Sequence, residues 1–353
     1  MKILYVDISL SGHRVKYMNA LAKENESVLL IPERCESFSE KQYVMTSGYD
    51  QKRTLTNYWK WIQEIKRIVK TERIDVVHIL CGDVLYRFFG LFLKSIPAKV
   101  VVTYHHMLFT KVRVLSMKRI FAASYGVVHT DSLLAGLRKC GIRNSSKIEY
   151  PVFMHEVTIT KDEAKKKIGL PMNKPCIVIM GGTQRYKGLD ILLEALNEVT
   201  VPFTLYITGV EREFNREYIL EHSKKYADST VLHLVRLSEE EYAEAIAAAD
   251  LLVLPYRFEF DGASGPMIDG VWNRKYVVGS DHGSMGTIIK KHHLGETFKT
   301  EDPEDLARVL NTVLPDIPAW SDEAECFRNE LTEGKFTENY RILYRALTSN
   351  GRE

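Results

Sequence analysis

The stretch that decides the fold covers residues 251–280 and reads LLVLPYRFEFDGASGPMIDGVWNRKYVVGS. Its first five residues predict an apolar strand, which leads into a loop of small residues over 262–266. An apolar stripe then predicts a helix, and the run 276–279 predicts the next strand. Small residues let the backbone approach a ligand, and a helix N-terminus presents free N–H groups. The unit therefore suits a phosphate.

Two carboxylates accompany this unit. Asp261 lies in the loop, and Asp269 lies one turn into the predicted helix, where both could flank whatever the N-terminus binds. Such loops are also common in α/β proteins, and an acid in a first turn is often only a partner of the helix dipole. The stretch alone therefore leaves ligand binding open.

Length and composition indicate a globular protein of two domains. The chain has 353 residues, 45% hydrophobic and 27% charged, which suits two ordinary cores. The opening MKILYVDISL predicts a first strand rather than a signal peptide, and no apolar run approaches the roughly 18 residues of a spanning helix. The five Cys lack C-x-x-C spacing. We therefore expect a cytoplasmic protein with reduced thiols and without structural zinc.

The charge is distributed unevenly. Residues 1–157 hold 24 Lys and Arg against 14 Asp and Glu, whereas the remainder holds 24 against 32. A basic first half suggests an anionic partner, such as a membrane surface, a lipid phosphate or a nucleic acid. A charge difference between domains without functional meaning stays an alternative. A nucleic-acid role is disfavoured, because the basic residues are scattered and no binding motif is present.

Apolar runs and amphipathic helices alternate along the whole chain, which predicts parallel sheets covered on both faces. The expected domains are 1–155 and 156–325, both doubly wound and Rossmann-like, facing a cleft. A C-terminal helical segment, 326–353, is expected to pack back on the first domain. A helix over 84–94 and one final helix from about 321 to 347 are among the predicted elements.

A glycine-rich loop follows the predicted strand 176–180. It reads GGTQRYKG over 181–188, and Arg185 and Lys187 are its two cations. Arg offers a planar fork and Lys a compact charge, so the pair would complement a diphosphate. The loop is neither a Walker motif nor G-x-G-x-x-G. A solvated turn with two exposed cations is the alternative.

Several histidines are candidates for chemistry. His105 and His106 follow the strand KVVVTY, where a side chain can face a ligand cleft and exchange a proton near neutral pH. His78 lies inside a strand and is expected to be a satisfied core residue. Three others, His282, His292 and His293, lack a metal-like pattern and are expected at the surface. Gly12 precedes a predicted helix after the first strand, another anion-facing position.

These motifs resemble glycosyltransferase family 4, which comprises retaining enzymes of the GT-B fold. The donor-domain motifs of that family correspond to KGLDILLEA over 187–195, ADLLVLP over 249–255 and DGASGPMID over 261–269. The first half is similar to the acceptor domain through Gly12, the strand DVVHI over 75–79 and the strand end VVTYH over 101–105.

Three positions depart from the family pattern. Asp261 and Asp269 stand where the family usually has Glu, which shortens each arm by one methylene group. Gly182 stands where many members place an Arg, so that role passes to Arg185. His106 occupies a position that is often Asp.

The resemblance implies a metal-independent hexosyltransferase without a cofactor. It would move a sugar from a UDP- or GDP-sugar to a glycan or lipid-linked acceptor, in bacterial cell-surface polysaccharide or glycolipid synthesis. The alternatives are a sugar-nucleotide epimerase, a phosphorylase, or a non-catalytic nucleotide-sugar-binding protein.

The resemblance also implies roles for residues. Arg185 and Lys187 would hold the leaving diphosphate, Asp261 the donor sugar and Asp269 the ribose, while His105 would contact the sugar near the reacting carbon. The remaining donor-binding positions that it implies are Gly12, Gly182, Ser264, Gly265, Pro266 and Met267. From the residues themselves, the basic segment 111–120, with interleaved apolar residues, predicts peripheral membrane contact at the inner face of the plasma membrane. An ordinary solvated helix face is the alternative.

Overall fold

A computed structural model describes residues 1–10, 14–105, 107–154, 156–260 and 264–349. It divides the chain into two compact units. Unit 1 comprises Met1–Phe153 and Thr332–Glu353, and unit 2 comprises Met154–Leu331. Each unit has its own parallel sheet and its own apolar core. The predicted class, two parallel-sheet α/β domains, is confirmed.

Unit 1 is built on a seven-stranded sheet in the order β3-β2-β1-β4-β5-β6-β7. Its strands are β1 (Lys2–Val6), β2 (Glu26–Ile31), β3 (Lys41–Val44), β4 (Val76–Ile79), β5 (Lys99–Tyr104), β6 (Tyr125–Val128) and β7 (Ser145–Lys147). Its helices before the chain enters unit 2 are α1 (Arg14–Lys23), α2 (Leu55–Glu72), α3 (Lys111–Phe121) and α4 (Asp131–Lys139). The central strands are buried on both faces, as continuous Val and Ile runs predict.

Unit 2 has a six-stranded sheet in the order β10-β9-β8-β11-β12-β13. Its strands are β8 (Cys176–Met180), β9 (Thr204–Thr208), β10 (Thr230–His233), β11 (Leu251–Leu254), β12 (Tyr276–Ser280) and β13 (Gly295–Phe298). Its helices are α5 (Lys161–Ile168), α6 (Leu189–Ala195), α7 (Arg216–His222), α8 (Glu239–Ala248), α9 (Gly265–Trp272), α10 (Gly283–Lys291), α11 (Pro303–Val313) and α12 (Asp322–Glu330). The last helix, α13 (Glu333–Ser349), belongs to unit 1.

Both sheets contain a point where the strand order reverses. In unit 1 it lies between β1 and β4, and in unit 2 it lies between β8 and β11. Ligands of open parallel sheets bind outside the carboxyl ends of the strands at such a point. The loops after β8 and β11, which the sequence singles out, therefore leave the sheet side by side.

Two of the predicted helices are wrong, because the structure divides each of them into two shorter elements. Residues 84–94 do not form one α-helix but two 3₁₀ turns, Gly82–Phe88 and Leu93–Ser95. Phe89, Gly90 and Phe92 have positive φ between them, which no right-handed helix can accommodate. The final predicted helix is also two helices, because α12 packs on α9 of unit 2 whereas α13 packs on α1 of unit 1. Within the described ranges, no helix is both long and apolar enough to span a bilayer.

A chain of buried hydrogen bonds joins α13 to the sheet of unit 1. His78 Nδ1 lies 2.6 Å from the hydroxyl of Tyr344, and His78 Nε2 lies 2.7 Å from Thr103 Oγ1. Thr103 Oγ1 lies 2.8 Å from the hydroxyl of Tyr340. His78 is completely buried, and both of its ring nitrogens have partners. The prediction of a satisfied core histidine is confirmed.

The chain of hydrogen bonds continues to α1 and β6. The hydroxyl of Tyr17 lies 2.7 Å from that of Tyr340 and 3.3 Å from His129 Nε2, and His129 Nδ1 donates to the carbonyl of Ile148 (2.8 Å). A carbonyl only accepts, so His129 Nδ1 carries the proton and Nε2 accepts from Tyr17. In the same way, Tyr340 donates to Tyr17, and Thr103 donates to Tyr340. His78 Nε2 donates to Thr103, and Tyr344 donates to His78 Nδ1, so each hydroxyl donates once. Two neutral histidines therefore satisfy the whole chain.

Replacing Tyr340→Phe should lower the free energy of unfolding by about 1–3 kcal/mol, because the hydroxyls of Tyr17 and Thr103 lose a buried partner. The matched control is Tyr125→Phe in the same unit, since that hydroxyl has no hydrogen-bond partner among the described residues. Denaturant unfolding measures both variants. Equal effects of the two substitutions would contradict the network.

Candidate functional site

The glycine-rich loop of unit 2 begins where β8 ends. Gly181 has φ +104°, and its N–H donates to the carbonyl of Thr208 (2.9 Å). A Cβ at Gly181 would lie 2.2 Å from Lys187 Nζ, so the ammonium group lies directly over this glycine. Gly182 is close-packed against the amide of Gln184. Gly181 is therefore required by its backbone conformation, whereas a side chain at Gly182 would have to displace the Gln184 amide.

Thr183 fixes the loop to the chain after β9. Its N–H donates to Val210, its hydroxyl donates to Phe214 O (2.7 Å), and the N–H of Arg212 donates to the same hydroxyl (2.7 Å). Sequence reasoning missed Thr183. Its place directly after two glycines is the only signal in the sequence, and its partners lie about thirty residues away.

The two cations lie on a 3₁₀ turn, Arg185–Lys187. Arg185 is exposed, whereas Lys187 is half-buried. Lys187 Nζ lies 5.9 Å from the centre of the Tyr256 ring and has no hydrogen bond or ion pair with any described residue. Burial lowers the pKa of Lys187. A partly desolvated cation without a counter-ion favours an anionic ligand.

Tyr256, the second residue after β11, links this turn to helix α9. Its ring faces Lys187, and its buried hydroxyl lies 3.1 Å from Ser264 Oγ. Gly188 has φ +67°, and a Cβ there would lie 1.9 Å from Pro255 O, so the backbones of the two loops are in contact. Tyr256 has no recognisable signal in the sequence, because nothing in the spacing relates it to Lys187.

His282 supports the same loop. Its Nε2 donates to the carbonyl of Phe260 (2.9 Å), and its Nδ1 lies 3.0 Å from Thr300 Oγ1. The Phe260 ring in turn stacks on Tyr186, with ring centres 5.6 Å apart. The expectation that His282 is a surface residue is therefore wrong, because it is half-buried and holds the loop after β11.

Helix α9 begins within the stretch that opens the sequence analysis. Ser264 caps it by accepting from the N–H of Met267 (3.3 Å), and Pro266 stands in the first turn. Met267 is buried, whereas Gly265 is exposed and a Cβ there would meet no atom of the described residues within 4 Å. Pro266 has no N–H and the N–H of Met267 is bonded to Ser264, so the N–H of Gly265 is the group at the start of this helix that suits an anion.

Asp269 is half-buried on the same helix. Its Oδ2 accepts from the hydroxyl of Tyr242 of α8 (2.8 Å), and burial together with this carboxylate raises the pKa of Tyr242. Tyr242 therefore orients the carboxylate. A carboxylate has further lone pairs, so Asp269 can also accept from a hydroxyl of a ligand. Sequence reasoning missed Tyr242, which lies 27 positions earlier.

Three predicted positions, Asp261, Gly12 and His106, lie outside the described residues. In unit 1, an ion pair joins two residues that flank Gly12 in the sequence. Arg14 Nη1 lies 2.6 Å from Asp7 Oδ1, and Asp7 is almost completely buried. Burial raises the pKa of Asp7, and the Arg14 charge opposes that shift.

His105 lies at the carboxyl end of β5, as predicted. Its Nε2 lies 3.1 Å from Leu80 O, so Nε2 donates and Nδ1 keeps its lone pair. Burial first, and then the neighbouring His129 and Arg14, lower the pKa of His105 to about 3. The ring is therefore neutral at pH 7. The lowered pKa disfavours proton exchange near neutral pH and favours a hydrogen-bonding role.

Comparison with known proteins identifies the second half of the chain. Residues 160–325 match the family model "Glycosyl transferases group 1". The chain is 32% identical over 190 residues to glycogen synthase of Fusobacterium nucleatum subsp. nucleatum. That match covers 51% of this chain and 40% of the relative, so the chain spans less than half the length of this relative.

Solved structures share the fold over nearly the whole chain. A glycosyltransferase from Rickettsia africae has a TM-score of 0.80 at 16% identity, covering 99% of both chains. Anabaena Alr3699/HepE in complex with UDP has a TM-score of 0.77 at 14% identity, covering 98% of this chain and 100% of that one. The fold of each unit is that of GT-B glycosyltransferases.

The buried histidines of unit 1 predict an acid-sensitive fold. Burial lowers the pKa of His105 to about 3 and that of His129 to about 4, and the pKa of His78 also lies well below its usual value. Unfolding exposes these rings, which then bind protons below about pH 6.5. Stability is therefore full above that pH and is lost as the pH falls.

The free energy of unfolding should decrease between pH 6.5 and 5 by about 1.4 kcal/mol per pH unit for each histidine. Carboxylates contribute mainly at lower pH, because they titrate near pH 4 when unfolded. The measurement is the thermal unfolding of the wild-type protein, recorded at a series of pH values from 8 to 5. A midpoint that stays constant from pH 7 to 5 would contradict the assignment of neutral buried rings.

Proposed function

We propose, from the match of residues 160–325 to the family model "Glycosyl transferases group 1", that the chain is a retaining glycosyltransferase. It moves a hexose from a nucleoside diphosphate-sugar to a hydroxyl group of an acceptor. Unit 2 binds the donor, and unit 1 binds the acceptor. The complexes of Anabaena Alr3699/HepE with UDP and with UDP-glucose support a nucleotide-sugar donor.

The observation that carries this proposal is the ammonium group of Lys187. It is half-buried, lacks an anionic partner among the described residues, and lies over Gly181 beside the loop that starts α9. Arg185 lies on the same turn with an exposed side chain. Two cations and an open helix N-terminus together match the charge of a diphosphate.

Each residue then has a role in donor binding. Lys187 and Arg185 bind the diphosphate and stabilise its negative charge as it leaves the sugar. Fixed charges of this kind are worth several kcal/mol in a transition state, on the order of 3–4 kcal/mol for one group. The N–H of Gly265, at the start of α9, donates to the same phosphates. Asp269 accepts from the ribose hydroxyls, with its carboxylate held by Tyr242.

Three further roles belong to the proposal. Asp261 accepts from hydroxyls of the donor sugar, and Gly12 leaves room for substrate at the first loop. The neutral ring of His105, in unit 1, forms a hydrogen bond with the donor sugar. The two cations replace the metal ion that other transferases use to neutralise a diphosphate.

The proposed acceptor belongs to a cell-surface polysaccharide or glycolipid that is made in the cytoplasm.

Replacing Lys187→Ala should reduce sugar transfer by about a hundredfold or more, because the leaving diphosphate loses a fixed positive charge. The assay follows release of nucleoside diphosphate from a panel of UDP- and GDP-sugars with glycan acceptors. The control is Lys224→Ala, since Lys224 is 73% exposed and, among the described residues, forms its ion pair with Glu221 alone. Unchanged transfer by Lys187→Ala would refute the site.

Donor binding and donor turnover separate this proposal from its alternatives. A bound donor should raise the melting temperature, because it binds the folded state alone. An epimerase would convert the sugar without any acceptor, whereas a binding protein would show the thermal shift without turnover. A flat response to every nucleotide sugar would contradict the whole proposal.

Peripheral membrane contact through α3 extends the proposal to a lipid-linked acceptor. One face of this helix is exposed and combines Val112 and Leu115 with Lys111, Lys118 and Arg119. Val112 is 67% and Leu115 is 56% exposed, although both are apolar. Basic residues near an anionic bilayer contribute about 1 kcal/mol each, and the apolar pair can enter the interface.

The protein should cosediment with vesicles that contain phosphatidylglycerol, and raising the salt concentration should weaken this binding. The double substitution Val112→Ser with Leu115→Ser should weaken it further without affecting the folded state. Leu220→Ser is the control, because Leu220 is 48% exposed on unit 2. Binding that is absent, or equal for phosphatidylcholine vesicles, would reject the membrane contact.

A further inference from the structure

Arg257, the third residue after β11, contacts the turn that carries the two cations. Its backbone N–H donates to Tyr186 O (2.8 Å), and its Nε donates to Arg185 O (3.2 Å). Its guanidinium also forms an ion pair with Asp190 in the first turn of α6. The side chain thus links the carbonyl of Arg185 to the helix that follows the turn.

The charge of Arg257 is compensated within the protein. Asp190 bonds Nη2, and Glu301 lies 3.6 Å from Nη1. The Arg257 side chain is only 16% exposed. Lys187 has no such partner among the described residues. Arg257 is therefore occupied by protein groups, whereas Lys187 remains available to a ligand.

We propose that Arg257 is a positioning residue for the nucleoside diphosphate site, acting through the turn Arg185–Lys187. This inference rests on the proposed function. The turn is a single 3₁₀ turn without a side-chain cap, and such short pieces are weakly stable by themselves. The Arg257 side chain fixes the turn by donating to the carbonyl of Arg185 and pairing with Asp190, and it thereby helps to set the direction in which both cations leave the backbone.

The same bonds matter for electrostatics. The carbonyls of Arg185 and Tyr186 point their negative ends at Arg257. Without the Arg257 side chain, the carbonyl of Arg185 keeps only its bond from the N–H of Gly188 (3.0 Å), so its negative end is held less firmly away from a bound phosphate. The turn would also have to become ordered on binding, which reduces affinity. Arg257 thus contributes to affinity without contacting the ligand.

Isothermal titration with UDP and GDP tests the proposal in the full chain. Arg257→Met should weaken the affinity for these nucleotides roughly tenfold. Lys187→Ala should also weaken this affinity in the wild-type background. In the Arg257→Met background, Lys187→Ala should have a clearly smaller effect, because a turn that is no longer held does not direct Lys187. Arg257→Lys keeps the charge but lacks the fork, so it should not restore binding.

A control variant and the double-mutant cycle distinguish the role of Arg257 from a general loss of stability. Arg308→Met is the control, because Arg308 pairs with Asp305 on the surface of α11 and should leave affinity unchanged. If Arg257→Met does not fold, the same cycle with Arg257→Lys replaces it. Absence of UDP and GDP binding by the wild-type protein would overturn the proposed function. Binding that Lys187→Ala weakens equally in both backgrounds would overturn the role of Arg257 alone.

Discussion

Parallel pairing is the constraint on which the rest of each unit depends. Each pairing between described strands is parallel, so all strands of a sheet end at the same edge. In unit 2 the loops after β8 and β11 meet there, because these strands are neighbours at the reversal of strand order. That adjacency brings Gly188 against Pro255 and places Lys187 over the ring of Tyr256. A site assembled from residues about seventy positions apart thus follows from the topology of the sheet.

The histidine–tyrosine network of unit 1 and the ammonium group of Lys187 in unit 2 are satisfied to different degrees. In unit 1 the hydrogen bonds from Tyr344 through His78 to His129 satisfy every member, so the network fixes α13 on the sheet and offers nothing to a ligand. In unit 2 the ammonium of Lys187 is partly desolvated and has no anionic partner among the described residues. Satisfied networks rigidify a fold, whereas an uncompensated charge costs stability and persists where binding requires it.

The sequence predicts the architecture well because continuous Val and Ile runs report strands that are buried on both faces. It misses β3, β7 and β13, whose short or polar segments KQYV, SSK and GETF carry no such signal. For the site, it predicts Lys187, Arg185 and Asp269 from residue types, spacing and the family resemblance, and these roles stay predictions. It cannot identify Thr183, Tyr242 or Tyr256, because their roles arise from partners that only the folded chain brings near. The break between α12 and α13 is missed for the same reason, since the two helices pack on different units.

The supporting contacts around the Arg185–Lys187 turn would preorganise it for the anionic ligand that we propose. Thr183 holds the loop from one side, and Gly188 with Pro255 holds it from the other. These contacts form during folding, so the ordering entropy of the turn is lost then and not when a ligand binds. A ligand that brings negative charge also relieves the desolvated ammonium of Lys187, which makes binding more favourable still. Preorganisation and an unmet charge therefore act in the same direction: the first lowers the cost of binding, and the second makes an anion the species that benefits.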